Sequence, residues 1–153
     1  MKKLLTLTVL AILSTSASAK DLTGHYAYNH DVIIPGECSQ TDKLNDNWED
    51  CTYDGDDSVS IYRDDITDEM VVSVETITTN AHMCSFESTN LTILENSIIA
   101  TETATDWDGS DLGSCEVTIT VDQDDSATVL TNGNCQDFCG TRASLEFDIA
   151  HKQ

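Results

Sequence analysis

Arg142-Ala143-Ser144-Leu145-Glu146-Phe147-Asp148-Ile149-Ala150, or RASLEFDIA, alternates between polar and apolar side chains. Successive side chains of a strand point to opposite faces. The period therefore puts Ala143, Leu145, Phe147 and Ile149 on one face and Arg142, Ser144, Glu146 and Asp148 on the other, a strand buried on one side. A helix would need apolar positions three and four apart, and no convincing stripe of that kind runs through residues 20–153. Runs with the same period, rich in Val, Ile and Thr, recur at Leu22 to Tyr28, Val59 to Arg63, Met70 to Thr78, His82 to Glu87, Leu91 to Ile93, Ile98 to Thr103, Cys115 to Val121 and Ala127 to Thr131.

Turn chemistry separates these runs, at Asn80-Ala81, Glu95-Asn96-Ser97, Asp106 to Gly113, Gln123 to Ser126 and Asn132-Gly133-Asn134. Short strands with hairpin-length turns predict an all-β fold, a small antiparallel meander of about eight strands closed as a barrel or folded into a sandwich. In such a meander the last strand is expected to return and pair with Leu22 to Tyr28. One stretch breaks the rhythm. Asn29 to Asp57 shows no sustained apolar alternation, holds the single proline Pro35, and sets nine acids against Lys43. It is expected to be an acidic loop insertion at 29–57, of the length that compact domains reserve for function.

The N-terminus reads as a secretory signal. Met1-Lys2-Lys3 is basic, Leu4 to Leu13 is apolar, and Ala17-Ser18-Ala19 is a small-residue cleavage site, which predicts a signal peptide at 1–19. The apolar run is too short to span a bilayer, and no other stretch approaches the roughly twenty residues a span needs. Residues 20–153 then form one β domain, with the periplasm or the exterior as its destination. All six cysteines lie in that part, so a disulfide-stapled domain is expected.

Charge narrows the partner classes. Two of the seven Lys and Arg are in the signal, leaving five against 28 Asp and Glu. Nucleic acid and anionic membranes are disfavoured by repulsion, whereas cationic proteins, divalent cations and neutral sugars stay open.

Asn134-Cys135-Gln136-Asp137-Phe138-Cys139-Gly140-Thr141-Arg142 places two cysteines four residues apart. In a strand that separation is about 13 Å, beyond the roughly 7 Å limit of a disulfide, so the two bond each other only if the chain coils between them. If Cys115 to Val121 and Ala127 to Thr131 form a hairpin turning near Asp124, the position opposite Cys115 lies close to Asn134 or Cys135. The preferred pairing is then Cys115 with Cys135, Cys84 with Cys139 and Cys38 with Cys51, with Gly140 easing the turn before Arg142. Zinc is disfavoured because no second close pair accompanies C-x3-C, and redox chemistry because its usual spacing is C-x-x-C.

His82-Met83-Cys84-Ser85-Phe86-Glu87, Ser114-Cys115-Glu116-Val117, and Gly133 to Leu145 with its C-x3-C-G-x-R-A pattern resemble a group of small, uncharacterised exported proteins of Gram-negative bacteria. The likeness covers roughly residues 82–149. It implies a β-rich exported domain and no particular activity.

No catalytic residue can be named. There is no G-x-S-x-G elbow, and His25, His30, His82 and His151 lack zinc-protease spacing. A strand histidine satisfied by its neighbours is the favoured account of His25 and His82. Calcium is the one cofactor considered, but the Asp106 loop has Asp111 and Val117 where an EF-hand wants Gly and Glu. Asp54 to Asp57 and Asp122 to Asp125 offer at most weak oxygen cages. Trp48 in Asn45-Asp46-Asn47-Trp48-Glu49-Asp50 and Trp107 in Thr105-Asp106-Trp107-Asp108 are embedded among acids. Such aromatics either cap a barrel core or anchor a partner's Lys and Arg. The residues expected at a contact are Trp48, Glu49, Asp50, Trp107 and Asp108. The leading expectation is a non-enzymatic, acidic exported inhibitor or immunity protein against a cationic cell-wall hydrolase such as a lysozyme. The alternative is a calcium- or carbohydrate-binding component of the envelope.

Overall fold

The computed structural model describes residues 20–34, 51–78, 82–106, 108–140 and 142–153. They form nine strand segments: β1 (Gly24–Ile34), β2 (Cys51–Arg63), β3 (Met70–Ile77), β4 (Met83–Ser88), β5 (Leu91–Ile93), β6 (Ser97–Thr105), β7 (Asp111–Val121), β8 (Ser126–Gly133) and β9 (Phe147–Lys152). A 3-10 turn at Cys135–Phe138 is the one helical element among the described residues, and no helix there is long and apolar enough to cross a membrane. The strands make one antiparallel sheet in the order β4-β3-β2-β1-β9-β8-β7-β6-β5. As expected, the last strand returns to the first, pairing Tyr26 with Lys152 and Ala27 with His151.

The two ends of the sheet belong to one stretch of chain. Every neighbouring pair is antiparallel, so β4 and β5, eight steps apart, run in the same direction. Met83 to Ile93 is in effect one strand bent at Thr89-Asn90, whose first half pairs with β3 and second half with β6. Hydrogen bonds continue across the bend: Thr101 N–H donates to Asn90 O at 3.0 Å and the buried Ser88 hydroxyl to Thr101 O at 3.1 Å. The result is a nearly closed antiparallel barrel in which β4 and β5 share one stave.

Above the bend, β4 and β6 diverge, and the NCQDFCGTR corner fills the space. Cys135 bonds Cys115 on β7, with 2.03 Å between sulfurs, and Cys139 bonds Cys84 on β4, with 2.01 Å. Gly140 N–H donates to Met83 O at 2.8 Å, and Phe138 meets Phe86 edge to face at 5.3 Å. The intervening chain does coil, into the 3-10 turn, yet each cysteine bonds outward in the pairing expected; the residue opposite Cys115 is Gly133, and Cys135 reaches it from the turn. Gly133 permits the exit from β8, because its φ is +85° and a Cβ there would overlap Ser114 O. The left-handed residue after the corner is Arg142, φ +71°, and not Gly140.

Residues 142–146 correct the reading of RASLEFDIA. Ala143, Leu145 and Phe147 are buried in alternation, but the segment before Phe147 is not in a ladder. It crosses the end of the barrel, with Ser144 O accepting the Thr76 hydroxyl at 2.6 Å. Within β9 the register moves from Val129↔Phe147 to Ala127↔Ala150, an extra residue that reverses the parity and turns Ala150 inward. The expected inward placement of the Ile149 side chain lies outside the described residues.

The interior is filled by Tyr26, Ile61, Phe86, Ile98, Ile119, Leu145 and a set of valines, all essentially inaccessible. Burying each Val, Leu, Ile or Phe contributes about 1.5–3 kcal/mol. At the end opposite the corner Leu22 plugs the barrel, its carbonyl accepting the Tyr26 hydroxyl at 3.0 Å. Burial pushes the Tyr26 phenol above its usual range, and nearby Asp125 and Asp21 push it the same way.

At this Leu22 end the β2–β3 connection is a tight acidic turn. The Asp64 carboxylate accepts Ile66 N–H at 2.9 Å, Thr67 N–H at 2.7 Å and the Thr67 hydroxyl at 3.1 Å. Those bonds hold its pKa below the usual carboxylate value, with the Thr67 backbone bond the largest cause. Folding therefore lowers this pKa. The stabilisation is fully present above the unfolded value of about 3.9 and disappears as pH falls through the lower folded value. An NMR titration is expected to place the Asp64 midpoint below 3.9, with Ile66 and Thr67 amides exchanging faster once it protonates. A midpoint at or above 3.9 would contradict this geometry.

Candidate functional site

The strongest correction concerns the acidic stretch. Residues 29–34 and 51–57 are strand and not loop: β1 and β2 pair without a break from Gly24↔Ile61 to Ile34↔Cys51. Beyond the barrel wall this pair continues as a two-stranded ribbon, since β9 stays with β1 only at Tyr26 and Ala27, and β3 pairs with β2 only as far as Ser58. Gly55 permits the packing at its base: a Cβ there would overlap Val32 Cγ2 and come within 2.9 Å of Ile77 Cγ2. Val32 is fully buried as a result.

Strand parity sorts the ribbon's side chains. Tyr28, His30, Val32, Tyr53, Gly55 and Asp57 continue the barrel's inner face, while Asn29, Asp31, Ile33, Thr52, Asp54 and Asp56 continue its outer face. Large side chains are exposed on both: Tyr28 and Tyr53 at 48 % each and Ile33 at 42 %. Tyr28 stacks on His30, 5.7 Å between ring centroids. His30 Nε2 lies 3.3 Å from Asp57 Oδ1 without hydrogen-bond geometry, and that oxygen accepts Ile77 N–H at 2.9 Å.

The outer face carries Asp31 directly opposite Asp54, and Asn29 opposite Asp56, to which the Asn29 amide donates. Like charges facing each other across a ladder oppose folding, and no Lys or Arg among the described residues pairs with these carboxylates. Three of the four described cations are held at the Leu22 end. Lys20 pairs with Asp125 at 3.0 Å, Arg63 with Asp68 at 3.5 Å, and Lys152 donates to Thr23 O at 2.7 Å. The fourth, Arg142, follows the corner at the ribbon end of the barrel, and no ion pair among the described residues joins it to these carboxylates.

Of the contact residues expected from sequence, Trp48, Glu49, Asp50 and Trp107 lie outside the described residues. Asp108 is exposed in the β6–β7 turn, where Gly109 N–H donates to Asp106 O at 2.9 Å and Ser110 N–H to the Asp108 carboxylate at 2.9 Å. The Ser110 backbone bond is the largest cause holding the Asp108 pKa below its usual value, followed by the Ser110 side chain. Antiparallel pairing around the barrel places this turn at the same end as Ile34 and Cys51. Cys51 is disulfide-bonded, and the expected bridge to Cys38 involves a residue outside the description.

Of the two acidic stretches weighed for calcium, Asp54 to Asp57 lies within β2, and Asp122 to Asp125 is the turn between β7 and β8. Asp54 and Asp56 point to one face of β2 and Asp57 to the other. At Asp122–Asp125 the cation is Lys20, whose Nζ contacts Asp122 O and Asp125, while Asp124 is taken by Ser126 N–H and its hydroxyl. No three His, Cys, Asp or Glu side chains among the described residues form a group that could hold a metal ion. His25 is the satisfied strand histidine expected, its Nδ1 2.9 Å from Ser60 Oγ; His82, expected in a strand too, instead stands just before β4 at the opposite end.

Sequence reasoning missed Tyr28, Ile33 and Tyr53. The available signal was Tyr28-x-His30-x-Val32 beside Tyr53-x-Gly55-x-Asp57, a period of two carried by aromatic and polar side chains. Comparison with protein-family models, with curated proteins and with solved structures found no match.

Proposed function

We propose that this chain is an exported, non-enzymatic binding protein, acting in the periplasm or outside the cell as an inhibitor or immunity protein against a cationic cell-wall hydrolase such as a lysozyme. The two disulfides fit an oxidising compartment. The observation that carries the reading is the ribbon end, where Tyr28, Tyr53 and Ile33 stand exposed beside Asp31, Asp54 and Asp56, whose charges no Lys or Arg of the described residues balances. Tyrosine supplies a large, stiff contact that also accepts a cation on its ring face. Carboxylates around it speed encounter with a positive surface.

The test is the activity of a C-type lysozyme and a cell-wall amidase titrated with the purified protein at low and high salt. Inhibition of at least one is expected, with association about tenfold or more slower in high salt. No inhibition of any cationic hydrolase ends the proposal, and a melting temperature raised by calcium would favour the calcium-binding alternative instead.

A further inference from the structure

Among the described residues the ribbon has an edge without a partner strand, and its chemistry is one-sided. His25 O accepts Gln153 N–H at 2.9 Å, which fixes the odd-numbered residues of β1 as those whose backbone groups point toward β9. β9 accompanies β1 no further than Ala27. The N–H and C=O groups of Asn29, Asp31 and Ile33 therefore face outward without a sheet partner among the described residues. Such an edge is a template for another strand unless something blocks it.

Charge decides which strand fits. The side chains of Asn29, Asp31 and Ile33 share a face with Asp54 and Asp56, and Asp31 already opposes Asp54. A second copy of this chain docked edge to edge would bring more carboxylate to that face. A segment with Lys or Arg at alternate positions would instead place a cation beside the Asp31–Asp54 pair and relieve it. Its intervening side chains would fall on the face of His30 and Val32.

We infer that the β1 edge from Asn29 to Ile33 takes up an extended, alternately basic segment of the partner as an added strand. The partner class rests on the reading above; the edge rests on the backbone alone. The probe is an octapeptide of alternating lysine and threonine, with its glutamate–threonine counterpart as control. Binding of the lysine peptide is expected to slow amide exchange at Asn29, Asp31 and Ile33. Ile33→Pro, which removes an outward N–H and leaves the β1–β2 ladder intact, is expected to weaken it about tenfold. Asp31→Asn, which keeps every backbone group, is expected to weaken binding and reduce its salt dependence.

The inference is overturned if the lysine peptide leaves those amides unprotected, if Ile33→Pro binds it as well as the parent, or if the edge instead pairs two copies of this chain. A protein that inhibits a hydrolase equally well with and without Ile33→Pro removes the edge and leaves the functional reading standing. Protection by the peptide with no hydrolase inhibited does the reverse.

Discussion

Replacing both cysteines of the Cys84–Cys139 bridge with alanine is expected to cost about 4 kcal/mol and to lower the melting temperature by roughly 15 °C. The bridge joins residues 55 apart in sequence, and on the chain-entropy model a loop of that length lies near the upper part of the usual range. It also sits where the barrel has least backbone support. Above Ser88 the shared strand has left β6, and its free side is held by the isolated Cys84↔Cys139 bridge and the Gly140–Met83 hydrogen bond. Cys115–Cys135 spans 20 residues and lies at the end of a hairpin already in register, so its removal is expected to cost less, about 3 kcal/mol. Denaturant melts of the two double variants check the order; a larger loss at Cys115–Cys135 would place the weak seam elsewhere.

Tyr28→Ala with Tyr53→Ala is expected to weaken partner binding about a hundredfold, because exposed tyrosines at the centre of a contact each contribute about 1.4 kcal/mol when they anchor it. Both project from the ribbon's inner face, Tyr28 opposite Asp57 and Tyr53 opposite Val32, roughly 13 Å apart along the strands. Each ring has at least one carboxylate within a residue or two. A lysine or arginine placed on the Tyr28 ring meets Asp57 on the same face, whereas the acids next to Tyr53 stand on the opposite face; truncating either ring removes the cation–π contact along with the apolar area. The fold is expected to tolerate the change, because the packing at the ribbon's base belongs to Val32, Gly55 and Ile77.

Much of the barrel was legible because its inner face is apolar. Leu91 to Ile93 is a strand as read, and Met70 to Thr78, His82 to Glu87 and Ala127 to Thr131 match strands to within a few residues. Counting around the hairpin brought the partner of Cys115 to within two residues of the position opposite it, Gly133. The method failed where alternation and strand part company. At 29–34 and 51–57 only Val32, Cys51 and Gly55 are buried among polar or exposed side chains, so counting apolar residues found nothing, although an eleven-pair ladder runs through. At Arg142 to Glu146 the alternation is real, but the crossing of the barrel end supplies it, with Ala143 and Leu145 reaching into the core from a chain that pairs with no strand. A shared stave leaves no mark in a single sequence: Thr89-Asn90 looks like an ordinary turn. The candidate site was legible only as acidity and loop aromatics, which led to Asp108 and not to Tyr28 or Tyr53.

The most direct measurement of where a partner docks is the affinity of the inhibited hydrolase for three proteins side by side. They are the parent, the Tyr28→Ala/Tyr53→Ala variant, and Ile66→Ala, which truncates a 93 % exposed side chain in an acidic turn at the opposite end of the barrel. Binding lost about a hundredfold in the tyrosine variant and unchanged in Ile66→Ala is the predicted result. Binding unchanged in the tyrosine variant, or lost in Ile66→Ala, would contradict it.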